Sequence, residues 1–369
     1  MPAVLFTAST WSHIAHFHRP YLQAFRSLGW QVHTACGGAP IPIPESDACF
    51  DVPFEKKMTA PANFRAQGRL RALMAEHRYD LVITHTSLAA FFTRRAAASL
   101  SPRPAVVNVA HGYLFDDDTS PAKKTILASA ERLTAAQTDL LLTMNDYDTR
   151  FARQHHLGRR VEKIPGMGVD FSRFPAVSPQ ERQALRREHG LAADAFVLLY
   201  AAEFSKRKNQ STLLRAMPLL PERVTLALPG QGALLDECRS LARQLGVADR
   251  VLFPGYCAAM APWYAMADCA VSSSRSEGLP FNIMEAMHAS LPVVATAVKG
   301  HTDLVTPGKT GLLFPFGDAP AFARAVEQLL ADPDRTAAMG QAAFQAAAPY
   351  ALDRVLPRVM ELYLSAPGE

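Results

Sequence analysis

Short apolar runs, each three to five residues long, alternate with helix-length segments along this chain of 369 residues. Apolar runs of that length, separated by such segments, are typical of buried strands in a parallel sheet. Because parallel strands need long crossover connections, which are usually helices, the pattern predicts an α/β protein.

The pattern occurs twice, and this predicts two domains. In the first half the strand candidates are Ala3–Thr7, Gln31–Ala35, Leu81–Thr84, Ala105–Val109, Leu140–Thr143 and Val161–Pro165. In the second half they are Phe196–Tyr200, Val224–Leu228, Val251–Phe253, Cys269–Ser272 and Pro292–Ala295. A helix from Phe17 to Leu28 is predicted to end at Gly29.

The domain boundary is predicted where proline and polar residues replace the apolar pattern, between Phe171 and Glu181. We place an N-terminal domain at 1–172 and a C-terminal domain at 173–350. The remaining segment, 351–369, is predicted to be a helix that is amphipathic from Leu352 to Leu364.

The strongest chemical signal is a pair of acids, Glu277 and Glu285, that lie eight positions apart around the turn Gly278-Leu279-Pro280. Pro280 suits the first position of a helix, where its missing N–H is harmless. On spacing alone, two solvated acids at a helix start would be the more ordinary interpretation.

A phosphate site beside these acids would change that interpretation. The first amides of a helix have no intrahelical acceptor, so the amides of Phe281 and Asn282, which follow Pro280, suit a phosphate. An acid beside a phosphate repels the ligand unless the acid meets something else, and sugar hydroxyls fit. The pattern predicts a diphosphate flanked by two hydroxylated rings, which describes a nucleotide-sugar.

The stretch 277–314 resembles the donor-binding core of the family 4 glycosyltransferases, which have the GT-B fold. The shared features are the Glu-Gly-x-Pro turn, Glu285-Ala286-Met287, the strand Pro292–Ala295, the loop Gly300–Leu304 and the turn Gly308–Leu313. The resemblance implies two Rossmann-like domains that face each other across a cleft and bind the donor there. It also implies that Glu277 contacts donor-sugar hydroxyls and that Glu285 binds the ribose, while the final helix packs back on the first domain.

The loop after the first strand of the second domain contains two more candidate donor contacts, Lys208 and Arg207. Lys208 occupies the position of a family lysine that contacts the diphosphate, although a solvated turn would also explain the basic residues here. Relatives often carry Gly-Arg where this chain has Ala202-Glu203, so Arg207 is the candidate substitute for that arginine.

The loops after the next two strands complete the expected donor site. Gly230, in a Gly-x-Gly turn, matches a ligand-binding loop of the family, and Tyr256 matches the segment that meets the nucleobase. A plain tight turn and a core aromatic are the alternatives for these two residues.

In the N-terminal domain, the resemblance places Ser12 and His13 near the donor phosphate or the acceptor, and it makes His111 the main catalytic residue. His13, His16 and His18 are close in sequence, but no carboxylate or cysteine accompanies them, so no metal site is predicted. His16 and His18 are expected to be helix residues. The Asp116–Asp118 run is expected to be a solvated loop tip.

The mechanism implied by the resemblance is transfer with retention at the anomeric carbon, without a metal and without a covalent carboxylate intermediate. Lys208 and the helix start would stabilise the leaving diphosphate, while Glu277 and His111 would position the sugar. No cofactor is expected beyond the donor substrate, a UDP-sugar.

The leading hypothesis is therefore a transferase that moves a hexose or N-acetylhexosamine to a saccharide or lipid-linked saccharide. Across the whole chain the resemblance is strongest to capsule and exopolysaccharide transferases. A UDP-sugar 2-epimerase of the same fold and a non-catalytic nucleotide-sugar-binding protein are the alternatives. No feature indicates nucleic-acid binding.

Bulk properties add a cellular setting. The formal net charge is +4, with the basic excess in the N-terminal half, and helical segments there mix phenylalanine with arginine. Peripheral contact with an anionic membrane and ordinary helix faces both explain these segments. Five scattered cysteines, no apolar run near the ~20 residues that span a bilayer, and no basic start before Val4–Ala8 predict a cytoplasmic protein without a signal peptide.

Overall fold

The computed structural model describes residues 1–366 and forms two compact units. The first unit runs from Met1 to Gly168 and includes the chain from Asp353 onward, and the second runs from Val169 to Leu352. The boundaries predicted from the sequence lie after residues 172 and 350, within a few residues of the observed ones.

The first unit contains a parallel sheet of seven strands in the order β3-β2-β1-β4-β5-β6-β7. The strands are β1 (Ala3–Ala8), β2 (Gln31–Cys36), β3 (Ala48–Asp51), β4 (Leu81–His85), β5 (Ala105–Val109), β6 (Leu140–Thr143) and β7 (Arg160–Lys163). The helices are α1 (Trp11–Phe17), α2 (Arg19–Ser27), α3 (Pro61–His77), α4 (Ser87–Ala97), α5 (Pro121–Leu133) and α6 (Asp146–Gln154). Every residue of β1, β4 and β6 is buried, as expected for strands covered on both faces.

The second unit contains a parallel sheet of six strands in the order β10-β9-β8-β11-β12-β13. The strands are β8 (Phe196–Leu199), β9 (Val224–Ala227), β10 (Val251–Leu252), β11 (Cys269–Ser272), β12 (Val293–Thr296) and β13 (Gly311–Phe314). The helices are α7 (Pro179–Glu188), α8 (Gln210–Ala216), α9 (Leu235–Gln244), α10 (Ala261–Met266), α11 (Phe281–His288), α12 (His301–Leu304), α13 (Ala319–Ala331) and α14 (Pro333–Ala347).

The last helix, α15 (Leu352–Ser365), belongs to the first unit. Its Tyr363 is buried against Phe6, Tyr21 and Phe25, with ring centroids 5.9–6.4 Å away. α15 therefore helps to close the core around β1.

The predicted α/β class is confirmed, and eleven of the thirteen strands in residues 1–366 were expected at or within a few residues of their observed places. The sequence did not reveal β3 and β13. β3 is a four-residue edge strand with no buried residue, and β13 begins at Gly311, so neither shows a continuous buried apolar run.

The predicted helix Phe17–Leu28 is wrong in one respect, since the chain forms two helices that meet at His18. Pro20 explains the break. It lacks the N–H that would bond to the carbonyl of residue 16, and its ring would clash with that carbonyl in a continuous helix. His18, expected to be a helix residue, lies at the junction.

None of the helices in residues 1–366 is long and apolar enough to cross a membrane.

Candidate functional site

The predicted donor residues of the second unit gather where its strand order reverses. β8 pairs with β9 on one side and with β11 on the other, and the loops after β8 and β11 leave the same edge of the sheet. In open parallel sheets this switch point, at the carboxyl ends of the strands, is where ligands bind. Lys208 follows β8 and Glu277 follows β11.

Glu277 lies between two cations. Its Oε1 accepts a hydrogen bond of 2.6 Å from Lys208 Nζ, and its Oε2 accepts one of 2.9 Å from Arg207 Nη1. The side chains of Glu277 and Lys208 are 7% and 12% exposed, whereas that of Arg207 is 47% exposed. The acid expected to repel a diphosphate therefore carries no uncompensated negative charge.

This arrangement controls protonation. Burial alone would raise the pKa of Glu277, but the charges of Lys208 and then Arg207 outweigh it and lower the pKa to about 2. Burial also lowers the pKa of Lys208, against the opposing effect of Glu277. Both pKa values are lowered, which favours the charged form of Glu277 but disfavours the charged form of Lys208. The geometry of a short, charge-assisted pair supports both groups being ionised at neutral pH.

Backbone contacts fix both loops in place. Ser273 Oγ donates to the carbonyl oxygens of Lys208 and Asn209, and Tyr200 Oη donates to that of Lys208. Gly300, at φ +82°, presses against the same segment. A Cβ atom there would lie 2.8 Å from the Gly278 carbonyl oxygen and 3.0 Å from Glu277 Cβ, so only glycine fits.

The second acid, Glu285, lies on α11 and is oriented by a tyrosine from α10. Tyr264 Oη donates a 2.7 Å hydrogen bond to Glu285 Oε2. Burial raises the pKa of Glu285, and this hydrogen bond opposes the rise. Asn282 is also held, since its Nδ2 donates to the carbonyl oxygen of Ala201 after β8.

The start of α11 differs by one residue from the prediction. Pro280 is the N-cap residue with extended backbone, and the helix begins at Phe281. Leu279 is buried and Gly278 contributes the carbonyl oxygen that Gly300 approaches. The turn still directs the helix N-terminus toward the side of the sheet that carries Glu277, because both follow β11 directly.

Gly230 has a structural reason that the sequence did not show. A Cβ atom there would lie 2.0 Å from the Ala202 carbonyl oxygen. The Ala202 N–H donates a hydrogen bond to the carbonyl oxygen of Pro229, the residue before Gly230. The glycine thus allows the loops after β8 and β9 to pack backbone to backbone. Tyr256 is 66% exposed, so it is not the core aromatic that was the alternative.

His301 is buried near Glu277, and the sequence analysis assigned it no role. Its Nδ1 lies 2.9 Å from the carbonyl oxygen of Thr296, and its buried Nε2 has no hydrogen-bond partner. Burial lowers its pKa to about 4, although the charge of Glu277 acts in the opposite direction. The signals that could have indicated it are its place in the loop Gly300–Leu304, which the family shares, and its position after β12.

In the first unit, His111 is part of a cluster of four imidazoles. Its Nε2 lies 3.3 Å from His13 Nε2 and 3.1 Å from His85 Nδ1, and the ring of His18 stacks on that of His85 at 3.7 Å. Burial lowers the pKa of all four, to about 4 for His13, so the imidazoles are neutral at pH 7. Ser12 is exposed, with its hydroxyl 3.2 Å from that of Thr10.

The cluster borders a cavity of about 630 Å³ in the first unit. Its lining comes from the loops after β1, β2, β4 and β5, and it includes Thr10, Gly37, Thr86 and His111. The Asp116–Asp118 loop is outside this lining, and Asp117 pairs at 3.0 Å with Lys124 near the surface, in keeping with a solvated tip.

Comparison with known proteins decides the family. Residues 15–166 match the model described as "Glycosyl transferase 4-like domain", and residues 181–346 match "Glycosyl transferases group 1". The chain is 34% identical to the protein named "Putative glycosyltransferase EpsD" of Bacillus subtilis (strain 168) over 98% of this chain and 96% of that protein. The chain belongs to the family 4 glycosyltransferases.

Other relatives of this glycosyltransferase differ in their named donors. It is 33% identical, over 74% of its length and 73% of the relative's, to the "GDP-mannose-dependent alpha-(1-6)-phosphatidylinositol monomannoside mannosyltransferase" of Mycolicibacterium smegmatis. Its fold matches the sucrose-phosphate synthase of Thermosynechococcus elongatus with a TM-score of 0.83 at 21% identity, covering 99% of both chains. It matches Anabaena HepE in complex with UDP-glucose with a TM-score of 0.82, also at 21% identity, over 99% of this chain and 100% of that one. The GT-B fold is therefore shown.

Proposed function

We propose that this glycosyltransferase moves a hexose or an N-acetylhexosamine from a UDP-sugar to a saccharide or lipid-linked saccharide during polysaccharide synthesis. The observation that carries the proposal is the Lys208–Glu277–Arg207 group at the switch point of the second sheet. It places positive charge for a diphosphate and a fixed carboxylate for sugar hydroxyls within one cluster of loops.

The same group supports a division of labour in donor binding. An ammonium group has three donors, and Glu277 takes one of those of Lys208, so others can meet a diphosphate oxygen. A carboxylate has about four lone-pair sites, so Glu277 can accept from sugar hydroxyls while it keeps both cations. The N-terminus of α11 adds its dipole for the diphosphate.

Glu285 is assigned to the ribose hydroxyls, and Tyr256 to the nucleobase. The hydrogen bond from Tyr264 leaves the other carboxylate oxygen, Oε1, to accept from a ribose diol. Because Tyr256 is exposed, its ring offers a face for stacking. Ser12 and His13 are assigned to the donor phosphate or to the acceptor.

The reaction we propose proceeds with retention and requires no metal. Lys208 and Arg207 stabilise the departing diphosphate, Glu277 orients the sugar, and His111 stabilises charge that develops on the sugar. Burial keeps the His111 imidazole neutral, so it acts as a hydrogen-bonding group at pH 7 rather than as a cation.

GDP-mannose is the competing donor, because it is named for the mycobacterial relative. A thermal-shift panel with UDP-glucose, UDP-N-acetylglucosamine and GDP-mannose separates the two. UDP-sugars should raise the melting temperature, since a ligand that binds only the folded state stabilises it. Stabilisation by GDP-mannose alone would overturn the donor assignment.

Acceptor-dependent release of UDP tests the activity itself. His111→Ala should lower turnover by about 100-fold, the size expected when a group that stabilises transition-state charge is removed. Its affinity for the donor should change much less. Interconversion of UDP-sugars without an acceptor would instead indicate an epimerase, and full turnover in the His111→Ala variant would remove His111 from the mechanism.

A further inference from the structure

Four histidines from three separate segments of the first unit bring their rings together. His13 lies on α1, His18 lies between α1 and α2, His85 ends β4, and His111 follows β5. All six ring-to-ring distances fall between 3.7 and 5.8 Å. We propose that these four imidazoles form a binding site for one divalent transition-metal ion of the zinc type.

Hydrogen bonding alone does not account for the contacts of His111. Its Nε2 lies within 3.3 Å of two other ring nitrogens, His13 Nε2 and His85 Nδ1. One imidazole nitrogen carries either a single hydrogen or a single lone pair, so it can serve one such partner well. A metal ion accepts a lone pair from each of the three nitrogens at once.

Burial adds a second and independent observation. His18 and His85 are completely buried, and neither ring nitrogen of His18 has a hydrogen-bond partner. Buried polar atoms without partners are costly and therefore rare in folded proteins. Coordination gives a buried imidazole nitrogen the partner that the protein does not supply.

The nitrogen separations around His111 suit tetrahedral coordination, and the stacked rings of His18 and His85, whose planes are 24° apart, must turn for both planes to contain the ion. Zinc–nitrogen bonds of about 2.0–2.1 Å place two tetrahedral ligand atoms roughly 3.4 Å apart. The nitrogens of His111 lie 3.1 and 3.3 Å from those of His85 and His13, and one ligand atom from each of the four histidines falls within 4.8 Å of the others. Imidazole suits zinc, copper and nickel, whereas magnesium and calcium prefer oxygen.

The break between α1 and α2 explains how His13 and His18 can face the same ion. In a continuous helix, residues five apart point about 140° away from each other. The break before Pro20 removes that constraint, and the rings of His13 and His18 lie 5.0 Å apart. His13 and His111 are only partly buried, and His111 also lines the cavity, so an ion has a route to the site.

One consequence rests on the proposed function. A metal ion bound here occupies His111, to which that proposal assigns a catalytic role. Occupancy of the site should therefore lower sugar transfer, and a chelator should restore it. The site would then be inhibitory, which agrees with a reaction that itself requires no metal.

Metal binding is measured directly on the full-length protein after treatment with a chelator. Zinc titrated against a chromophoric chelator should show one equivalent bound per chain, and magnesium should show none. Cobalt(II) bound in place of zinc should give the intense visible absorption of a tetrahedral site. No binding, or only the weak absorption of octahedral cobalt, would overturn the proposal without any variant.

A matched pair of variants locates the ion. His18→Phe removes one ligand and replaces unpartnered nitrogens with an apolar ring, so the fold should tolerate it. Its zinc affinity should fall by about 100-fold or more. Loss of a residue that only supports a ligand already costs about 10–100-fold, and His18 is itself a proposed ligand. His16 is exposed, and its Nδ1 lies 2.6 Å from the carbonyl oxygen of Ser12. The control variant His16→Phe should therefore leave zinc affinity unchanged.

Failure of this proposal and failure of the proposed function are distinguishable. Unchanged zinc affinity in a folded His18→Phe variant would overturn the site, whatever the enzyme activity. With the site intact, zinc should inhibit the native enzyme and spare the His18→Phe variant. Stoichiometric zinc binding without inhibition would contradict the catalytic role of His111 and the inhibitory consequence together.

Discussion

At the scale of single residues, the Lys208–Glu277 pair is the feature that the rest of the donor site depends on. The sequence indicated both residues, but it gave them separate partners, a diphosphate and a sugar. It could not show that they bind each other, because 69 positions separate them and only the sheet order brings their loops together.

Replacing Lys208 should cost more than replacing Arg207, although both contact the same carboxylate. Lys208→Met leaves the buried Glu277 with one exposed partner and should lower the free energy of unfolding by about 1–3 kcal/mol. Arg207→Gln should cost less than about 1 kcal/mol, since its guanidinium is half exposed. Equal losses in urea unfolding would contradict this ranking.

Acid should abolish the contribution of Glu277 to stability. Its pKa is lowered from 4.5 to about 2 in the folded protein, so its stabilisation is complete above about pH 5 and is lost as the pH falls toward 2. The pH-dependent part should amount to about 3 kcal/mol. The measurement is the free energy of unfolding of the native protein and of the Glu277→Gln variant across this pH range. A difference between the two proteins that does not change with pH would contradict the prediction.

At the scale of elements, strands with fully apolar runs were predictable and irregular segments were not. β3 and β13 lack the buried run, and the α1–α2 junction depends on the effect of Pro20 within an otherwise helical pattern. The histidine cluster was missed for a related reason. His85 and His111 meet only because β4 and β5 are neighbours in register, with His85 opposite Val109.

The loop before α12 supplies a test of element packing. Gly300→Ala and Gly308→Ala both place alanine at positive φ, at +82° and +75°, and each should lose about 1–2 kcal/mol for that reason. Only Gly300→Ala also adds a contact, 2.8 Å from the Gly278 carbonyl oxygen, whereas the nearest atom to a Cβ at Gly308 is 3.9 Å away.

The two glycine variants should therefore differ in two measurements. Gly300→Ala should lose a further 1–3 kcal/mol, roughly the cost of overpacking. It should also weaken nucleotide-sugar binding, because the new methyl group displaces Glu277. Gly308→Ala should bind the donor normally, and equal donor affinities in the two variants would show that Gly300 does not position Glu277.

At the scale of the whole molecule, each unit has its own hydrophobic core, and the chain's end contributes to the first one. The two parallel sheets and their order along the chain follow from the repeated apolar pattern. The return of α15 to the first unit was expected only from the family resemblance, since an amphipathic helix does not reveal which surface it covers.

Two changes at Tyr363 test this contribution. Tyr363→Ala removes a fully buried ring and should cost about 3–5 kcal/mol. Tyr363→Phe removes only a buried hydroxyl that has no hydrogen-bond partner, so it should be neutral or stabilising. Hydrogen exchange in Tyr363→Ala should accelerate in β1 and α2 but not in β8–β13, and acceleration in the second unit alone would contradict the assignment of α15.

Calorimetric titration of a UDP-sugar into the native protein and into Glu285→Gln tests the donor site most directly. The native protein should bind the nucleotide-sugar, and the variant should bind it about 10–100-fold more weakly, the loss expected for hydrogen bonds from ribose hydroxyls to a charged acceptor. Equal affinity in the two proteins, or no heat with any UDP-sugar, would show that the donor is not held by the acids around the turn at Pro280.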